Sequence, residues 1–511
     1  MTIKIMKNEK INPLDEVINT ILKSQAKTCV MAQKKLAERT QSKQEKNKKP
    51  ELLAPAGNLE KMKTAFSFGA DAVYAGIPDF SLRVRINDFD LNSLKEAIEY
   101  AHRINKKVYV TINIFAHNHH LEKLPGYLKK IKVLGPDGLI VSDPGVMQAI
   151  KNIWPEAVIH LSTQANCTNW QAAKFWQSQG VERVILGREV TLQEIQGMRK
   201  KLPKLELETF VHGAMCMAYS GRCFLSKYYL DRSANLGDCV QPCRWEYEVK
   251  SHKITPSPSK GEGSGEVSRI DKTVMIKAKG HDEEFELVEE EHGSYILNSK
   301  DMCLIKRLPE LIDAGIVSLK IEGRAKSVYY LGVVVGAYRK AIDLIYEKKL
   351  TDKELKKQLN NLYKELEEKV VHRGYTEGFA FDQGKLAQNL DNSHKECNWE
   401  FCGQVVNSGQ HRNSQDNIED EKNIAGVPLT DILISSKKHQ ILVKIHNVLK
   451  VGDEIEIVVP AYDIIKMKVK NIVDSETGEE MDSAHGGQGK SAYIETDREV
   501  PGYSVIRRKI K

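Results

Sequence analysis

No stretch of this chain comes near the eighteen or so uninterrupted apolar residues that a membrane-spanning helix needs. The first residues, MTIKIMKNEKINPLDEV, also lack the apolar core and small-residue cleavage site of a secretory leader. No membrane segment is expected, and the cytoplasm is the default address. In that reducing compartment nine cysteines do not read as structural disulfides, so a tight grouping of them points to metal binding or catalysis. Several catalytic signatures are missing: there is no HExxH, no GxSxG and no Cys/His pairing in a recognisable protease context. The nearest match to a phosphate loop, AHGGQGKS at Ala484 to Ser491, lacks its first glycine and runs into a strand-like segment, so it is discounted.

What is present is a globular composition, with 41% apolar and 28% charged residues. At 511 residues the chain exceeds what one hydrophobic core usually serves, so one large domain and at least one smaller one are expected. The net charge of +7 is accounted for by residues 1 to 50, which hold 12 Lys/Arg against 5 Asp/Glu. Such a basic arm suits contacts with an RNA backbone, and a solvated, partly disordered extension over residues 1–49 explains it equally well.

From Glu51 to about Arg324, short β-branched runs alternate with amphipathic helical stretches, the signature of parallel strands. Strands are predicted at Glu51 to Ala54, Ala72 to Ala75, Lys107 to Ile112, Gly138 to Ser142, Val158 to Ser162, Arg183 to Leu186, Leu205 to Val211 and Val317 to Ile321. Eight of them suit an α/β fold of the TIM-like (β/α)₈ barrel type over residues 50–325. An open doubly wound sheet competes, but no GxGxxG turn follows the first strand. An insertion over about 214–299 falls between the seventh and eighth strands. Its middle, TPSPSKGEGSGE, has linker composition, and Lys272 to Ile296 alternates like a hairpin. Residues 326–396 read as a helical segment, and 397–511 as a small C-terminal all-β domain, barrel-like or sandwich-like.

The insertion holds Cys216-x6-Cys223-x15-Cys239-x3-Cys243, four cysteines where composition alone would place about half of one. Gathered thiolates repel one another unless a cation holds them, so metal ligation is the natural reading. Cys₄ sites serve both zinc and iron-sulfur clusters; irregular intervals without a CxxC weigh toward a cluster and leave structural zinc open. Cys216 follows the seventh strand through Phe210-Val211-His212-Gly213, which puts the group at the C-terminal mouth, where barrel enzymes do their chemistry. His212 is a candidate ligand or proton donor, with a satisfied interior histidine as the plainer explanation. Cys29, Cys167, Cys303, Cys397 and Cys402 read as ordinary thiols.

Polar residues close several predicted strands: Asn113, Ser142 and Asp143, Gln164 and Asn166, Arg188 and Glu189, and then Lys320, Glu322 and Arg324. Arg83 and Arg85, in SLRVR beyond the second strand, join this set. The planar fork of arginine suits phosphates and carboxylates, so Arg83, Arg85, Arg188 and Arg324 are candidate anion binders, and Gln164 and Asn166 join them as candidate substrate-binding residues. A salt bridge or cap within the loop layer is the competing explanation for each. Lys320, Glu322 and His212 are the candidate proton-transfer groups.

The segments ELLAPAGNLEKMKTAFSFGADAVYAG, SLRVR, HLSTQANCTNW, VILGREV, FVHGAMCMAYSGRCFLS, CVQPCRWEY, EEEHGSYILNSKDMCLIKRLPELIDAGIVSLKIEGRAKS and HRGYTEGF resemble the U32 family, historically labelled collagenase-like peptidases, and within it the tRNA-hydroxylating branch. The resemblance runs from about Pro50 to the C-terminus. It implies a (β/α)₈ barrel with a 4Fe-4S cluster on Cys216, Cys223, Cys239 and Cys243. It further implies 5-hydroxylation of the wobble uridine of certain tRNAs, with prephenate as the small-molecule cosubstrate. The historical label implies a peptidase instead, and a non-catalytic RNA-binding factor stapled by its metal is a third reading.

Overall fold

The computed structural model describes residues 48–77, 80–81, 88–216, 218–223, 225–230, 232, 234, 238–245, 247–256, 270–278, 284–287, 299–381, 397–406, 423–424, 427–428, 440–487 and 490–510. The basic extension up to residue 47, Arg83 and Arg85, and most of the TPSPSKGEGSGE stretch lie outside the described residues.

All eight predicted barrel strands are present: β1 (Glu51–Pro55), β2 (Ala72–Ala75), β3 (Lys107–Ile112), β4 (Gly138–Val141), β5 (Ile159–Leu161), β6 (Arg183–Ile185), β7 (Glu206–Gly213) and β8 (Ser318–Ile321). Neighbours pair in parallel, and β8 pairs with both β7 and β1, which closes the sheet into a cylinder. Runs such as AVYA and GLIV are buried throughout, as expected of strands covered on both faces.

Several helices start where side chains satisfy their first free N–H groups. Asn58 caps α1 (Leu59–Ser67), and α2 (Leu91–Arg103) and α3 (Asn118–Leu134) follow. Asp143, followed by Pro144, caps α4 (Pro144–Ile153). After α5 (Trp170–Ser178), Thr191 and Glu194 form a reciprocal capping box on α6 (Leu192–Lys201). The insertion carries a short helix, α7 (Leu225–Leu230), and an antiparallel sheet of Tyr247–Pro256, Ile270–Ala278 and Glu284–Leu287. The chain returns along β7 as the antiparallel strand Asp301–Cys303, then α8 (Leu308–Asp313) leads into β8. Next come α9 (Val328–Glu347), mostly buried against the barrel, and α10 (Asp352–Lys369).

The C-terminal region is an antiparallel sheet with its own apolar core, including Val443, Ile457, Ile494 and Ile506. It docks on the barrel's helix layer. Gln404 Nε2 donates to Thr64 Oγ1 at 2.9 Å, and Lys340 Nζ donates to the Tyr462 carbonyl at 3.0 Å. Fully buried Arg507 donates to Glu456 at 2.6 Å and to Glu365 of α10 at 2.8 Å. Among the described residues no helix is long and apolar enough to cross a membrane.

Candidate active site at the C-terminal mouth of the barrel

The lumen is unusual for this fold, whose interior is ordinarily filled by Val, Ile and Leu. Glu208 of β7 is sealed from solvent, yet its Oε1 accepts from Lys320 Nζ of β8 at 2.9 Å and its Oε2 from Arg183 of β6 at 3.2 Å. Burial opposes charge on Glu208, but the Lys320 ammonium and the Arg183 guanidinium hold its carboxyl down at about 2. Arg183 also donates to Glu51 of β1, which accepts from Tyr109 of β3 at 2.7 Å. Lys320 lies 4.4 Å above the Tyr74 ring of β2, and His160 of β5 packs edge-on against Tyr109. One ionic lattice thus runs through the cylinder and holds Lys320 in its centre, below the loops.

Above it lies the mouth. Arg188, in the turn after β6, pairs with Glu322 after β8 at 2.8 Å, and its guanidinium covers the Phe210 ring of β7 at 4.1 Å. Arg324 is buried; its Nη1 donates to Ser81 Oγ at 2.8 Å and to Thr111 Oγ1 at 3.3 Å. The other strand-end groups support loops. Asn113 Nδ2 donates to Ser162 Oγ, Ser142 Oγ to the Asn113 carbonyl, and Asp143 serves as the cap of α4. Gln164 and Asn166 lie in the turn after β5, and Asn166 Nδ2 is buried without a hydrogen-bond partner among the described residues.

His212 lies in the interior, turned away from the lumen. Lys320 pairs with Phe210 and Ile321 with His212, so Val211 is an extra residue in β7. A bulge of one residue turns the following side chain to the opposite face. Phe210 faces the lumen, while His212 is buried among Tyr330, Tyr338 and Tyr375, with Nδ1 3.4 Å from the Tyr338 hydroxyl. Burial, reinforced by His372 and Lys326, pulls its pKa down to about 3, so it is a neutral packing residue.

The cysteine segment is fastened to the mouth by the β6 turn. Ser220 N donates to Glu189 Oε1 at 2.6 Å, and Arg188 N donates to Ser220 Oγ. Gly221, at φ +76°, lies so close to the Gln164 carbonyl that a Cβ there would sit 2.1 Å from the oxygen. Cys216 is exposed, while Cys223, Cys239 and Cys243 are half-buried, and all four are free thiols. Burial pushes the Cys223 thiol up, a backbone hydrogen bond at Leu225 partly offsets this, and Cys216 and Cys239 each add to the rise, so both lie within electrostatic reach of Cys223. Ser226 Oγ donates to Cys239 Sγ at 3.7 Å and accepts from Val240 N at 3.1 Å. Among the described residues no three His, Cys, Asp or Glu side chains converge on a point that would hold a single metal ion. By contrast, Cys167, Cys303 and Cys402 are buried, and burial raises their thiols to about 11, 12 and 12, which leaves them inert.

Sequence reasoning missed Glu208, Arg183, Ser81 and Thr111. Glu206 and Glu208 alternate with apolar residues in β7, a pattern that an exposed strand edge shares. A cleft of about 830 Å³ lies elsewhere, between α10 and the C-terminal sheet, and its lining of Glu454, Glu456, Lys466, Lys468 and Trp399 mixes charges of both signs.

A closed barrel with its cysteines entering after the seventh strand, backed by an antiparallel β-domain, defines a two-domain TIM-barrel protein with an elaborated C-terminal mouth. The model of peptidase family U32 matches residues 57–390, and that of the peptidase family U32 C-terminal domain matches residues 431–507. The chain belongs to peptidase family U32. It is 47% identical over 344 residues to tRNA hydroxylation protein P of Escherichia coli, covering 65% of this chain and 74% of that one. With tRNA hydroxylation protein P of Haemophilus influenzae it shares 36% identity over 483 residues, 90% of this chain and 96% of the other. A 23S rRNA 5-hydroxycytidine C2501 synthase of Escherichia coli is 32% identical over 331 residues, covering 65% of this chain and 45% of its own.

Proposed function

We propose that this protein is an RNA hydroxylase, acting on C5 of the wobble uridine in the anticodon loop of tRNA, with a 4Fe-4S cluster on Cys216, Cys223, Cys239 and Cys243 and prephenate as cosubstrate. The observation that carries the reading is the kinship with relatives named for hydroxylating RNA, among them one named for 5-hydroxycytidine. The donor set fits a cluster: four thiols stand in one segment, and thiolates at that density need a cation to hold them. A cluster held by these four thiolates would supply one-electron redox chemistry, which the side chains of the mouth do not offer.

The chain's own residues do the rest. An anticodon loop is single-stranded, so its base leaves the stack at small cost and enters the mouth. Arg324, oriented by Ser81 and Thr111, and Arg188, oriented by Glu322, face carboxylate or phosphate groups with fixed forks. Glu322 is the proton-transfer group at this level, since Lys320 is committed to Glu208 and His212 faces the helices. The peptidase reading finds little support, because at the mouth no Ser or Cys of the described residues pairs with a His. Nucleoside analysis of tRNA from a deletion strain tests the proposal. One hydroxyl-derived uridine should disappear and return on complementation; an unchanged nucleoside profile would overturn it.

A further inference from the structure

Of the described residues in 216–223, three are exposed: Cys216, Tyr219 and Arg222. Tyr219 exposes 65% of its surface, a large fraction for an aromatic ring, at the mouth and within four residues of two of the cysteines. The frame that presents it is not loose. Arg222 N donates to the Tyr219 carbonyl at 2.9 Å and closes a tight turn. Ser220, between them, is buried and held by Glu189 and by the Arg188 backbone, and Gly221 is wedged against the Gln164 carbonyl. Two barrel loops thus clamp the middle of the turn from beneath, while its two ends project. The Arg222 guanidinium makes no hydrogen bond or ion pair with any of the described residues. The other strongly exposed apolar side chains, such as Val133 and Phe175, stand singly on outer helices and need no explanation.

We infer that the Tyr219–Arg222 turn is a stacking platform for an unpaired nucleobase of the RNA substrate, with Arg222 taking a neighbouring phosphate. This rests on the RNA reading given above and names the residues that seize the strand. Single-stranded RNA is gripped by aromatic rings under its bases and by arginines on its backbone, and this turn carries one of each. A ring carried on a backbone already fixed leaves only its own side-chain rotation to be ordered on binding, so the contact keeps most of its worth. Its position three residues after Cys216 puts the stacked base, or its neighbour, beside the segment proposed to do the chemistry.

The test is binding of an unmodified anticodon stem-loop transcript to the full-length protein, followed by fluorescence anisotropy. Tyr219→Ala should weaken binding about tenfold or more, and Tyr219→Phe should bind like the unaltered protein, because the ring survives. Arg222→Ala should weaken binding and lower the slope of log Kd against log salt by about one. All variants should melt at the unaltered temperature, since both side chains are exposed. If the unaltered protein binds the stem-loop and Tyr219→Ala binds it equally well, the platform is refuted while the RNA reading stands. Should Tyr219→Phe prove as weak as Tyr219→Ala, the hydroxyl and not the ring is the contact, which also overturns stacking. An unaltered protein that ignores the stem-loop removes the RNA reading itself, and this inference with it.

Discussion

Glu208 and Lys320 meet at 2.9 Å inside the barrel, both sealed from water, one from the seventh strand and one from the eighth. Their pairing clasps the two strands between which the long insertion departs and returns.

Removing one partner should therefore be costly. Glu208→Gln leaves the Lys320 ammonium buried without a counter-charge and should destabilise by about 3–5 kcal/mol, read as a lowered urea midpoint. Replacing both, as Glu208→Leu with Lys320→Met, should cost less than either single change. The acid limb follows the same pair. The Glu208 carboxyl is held at about 2 against an ordinary 4.5, so its contribution is whole above pH 4.5 and drains away as pH falls toward 2.

His212 gives a second, separable pH effect. In the folded chain it stays neutral down to about 3, whereas the unfolded chain takes up the proton near 6.5. Between those values the unfolded state binds more protons, so stability falls as pH drops through the window. His212→Phe fits the aromatic cage and removes the titration. Thermal midpoints should then differ from the unaltered protein more at pH 5 than at pH 8, with the variant favoured at pH 5. His160, also pulled to about 3 by burial, keeps part of the slope in place.

Cys239→Ser tests the cluster assignment directly. The purified variant should lose most of its iron and the broad absorbance near roughly 400 nm, while its circular dichroism stays unaltered, because the segment lies outside the barrel core. Cys397→Ser is the control and should keep both. Full iron content in Cys239→Ser would remove that residue from the ligand set.

The domain junction makes a fourth prediction. Arg507, with no exposed surface, donates twice to Glu456, which also accepts from Lys369 of α10 at 3.0 Å. Glu456→Gln keeps the shape and removes one of the two carboxylates that neutralise these cations, leaving Glu365 paired with both. It should lower stability by about 1.5–3 kcal/mol in denaturant titrations, beyond the 1 kcal/mol or so of an exposed pair such as Lys470 with Asp497.

Much of this architecture was legible beforehand, for physical reasons. Strands covered on both faces must be apolar runs, and AVYA, KVYVTI and GLIV could be nothing else in that setting. The lumen was not legible. ELETF alternates charge and apolar residues like a half-exposed strand, and whether its carboxylates meet water or cations depends on Arg183 and Lys320, which only closure brings near. The direction in which His212 points was hidden for a narrower reason: one surplus residue, Val211, reverses a period-two pattern, and no composition rule announces where such a residue falls.

On the rim of the cylinder, Met302 pairs with Gly213 and Cys303 with His212, so the excursion after the seventh strand leaves and re-enters through a single doorway. Whatever hangs from that doorway can lengthen, shorten or be exchanged without shearing the staves. The frame can be inherited whole while the tool it carries is refashioned.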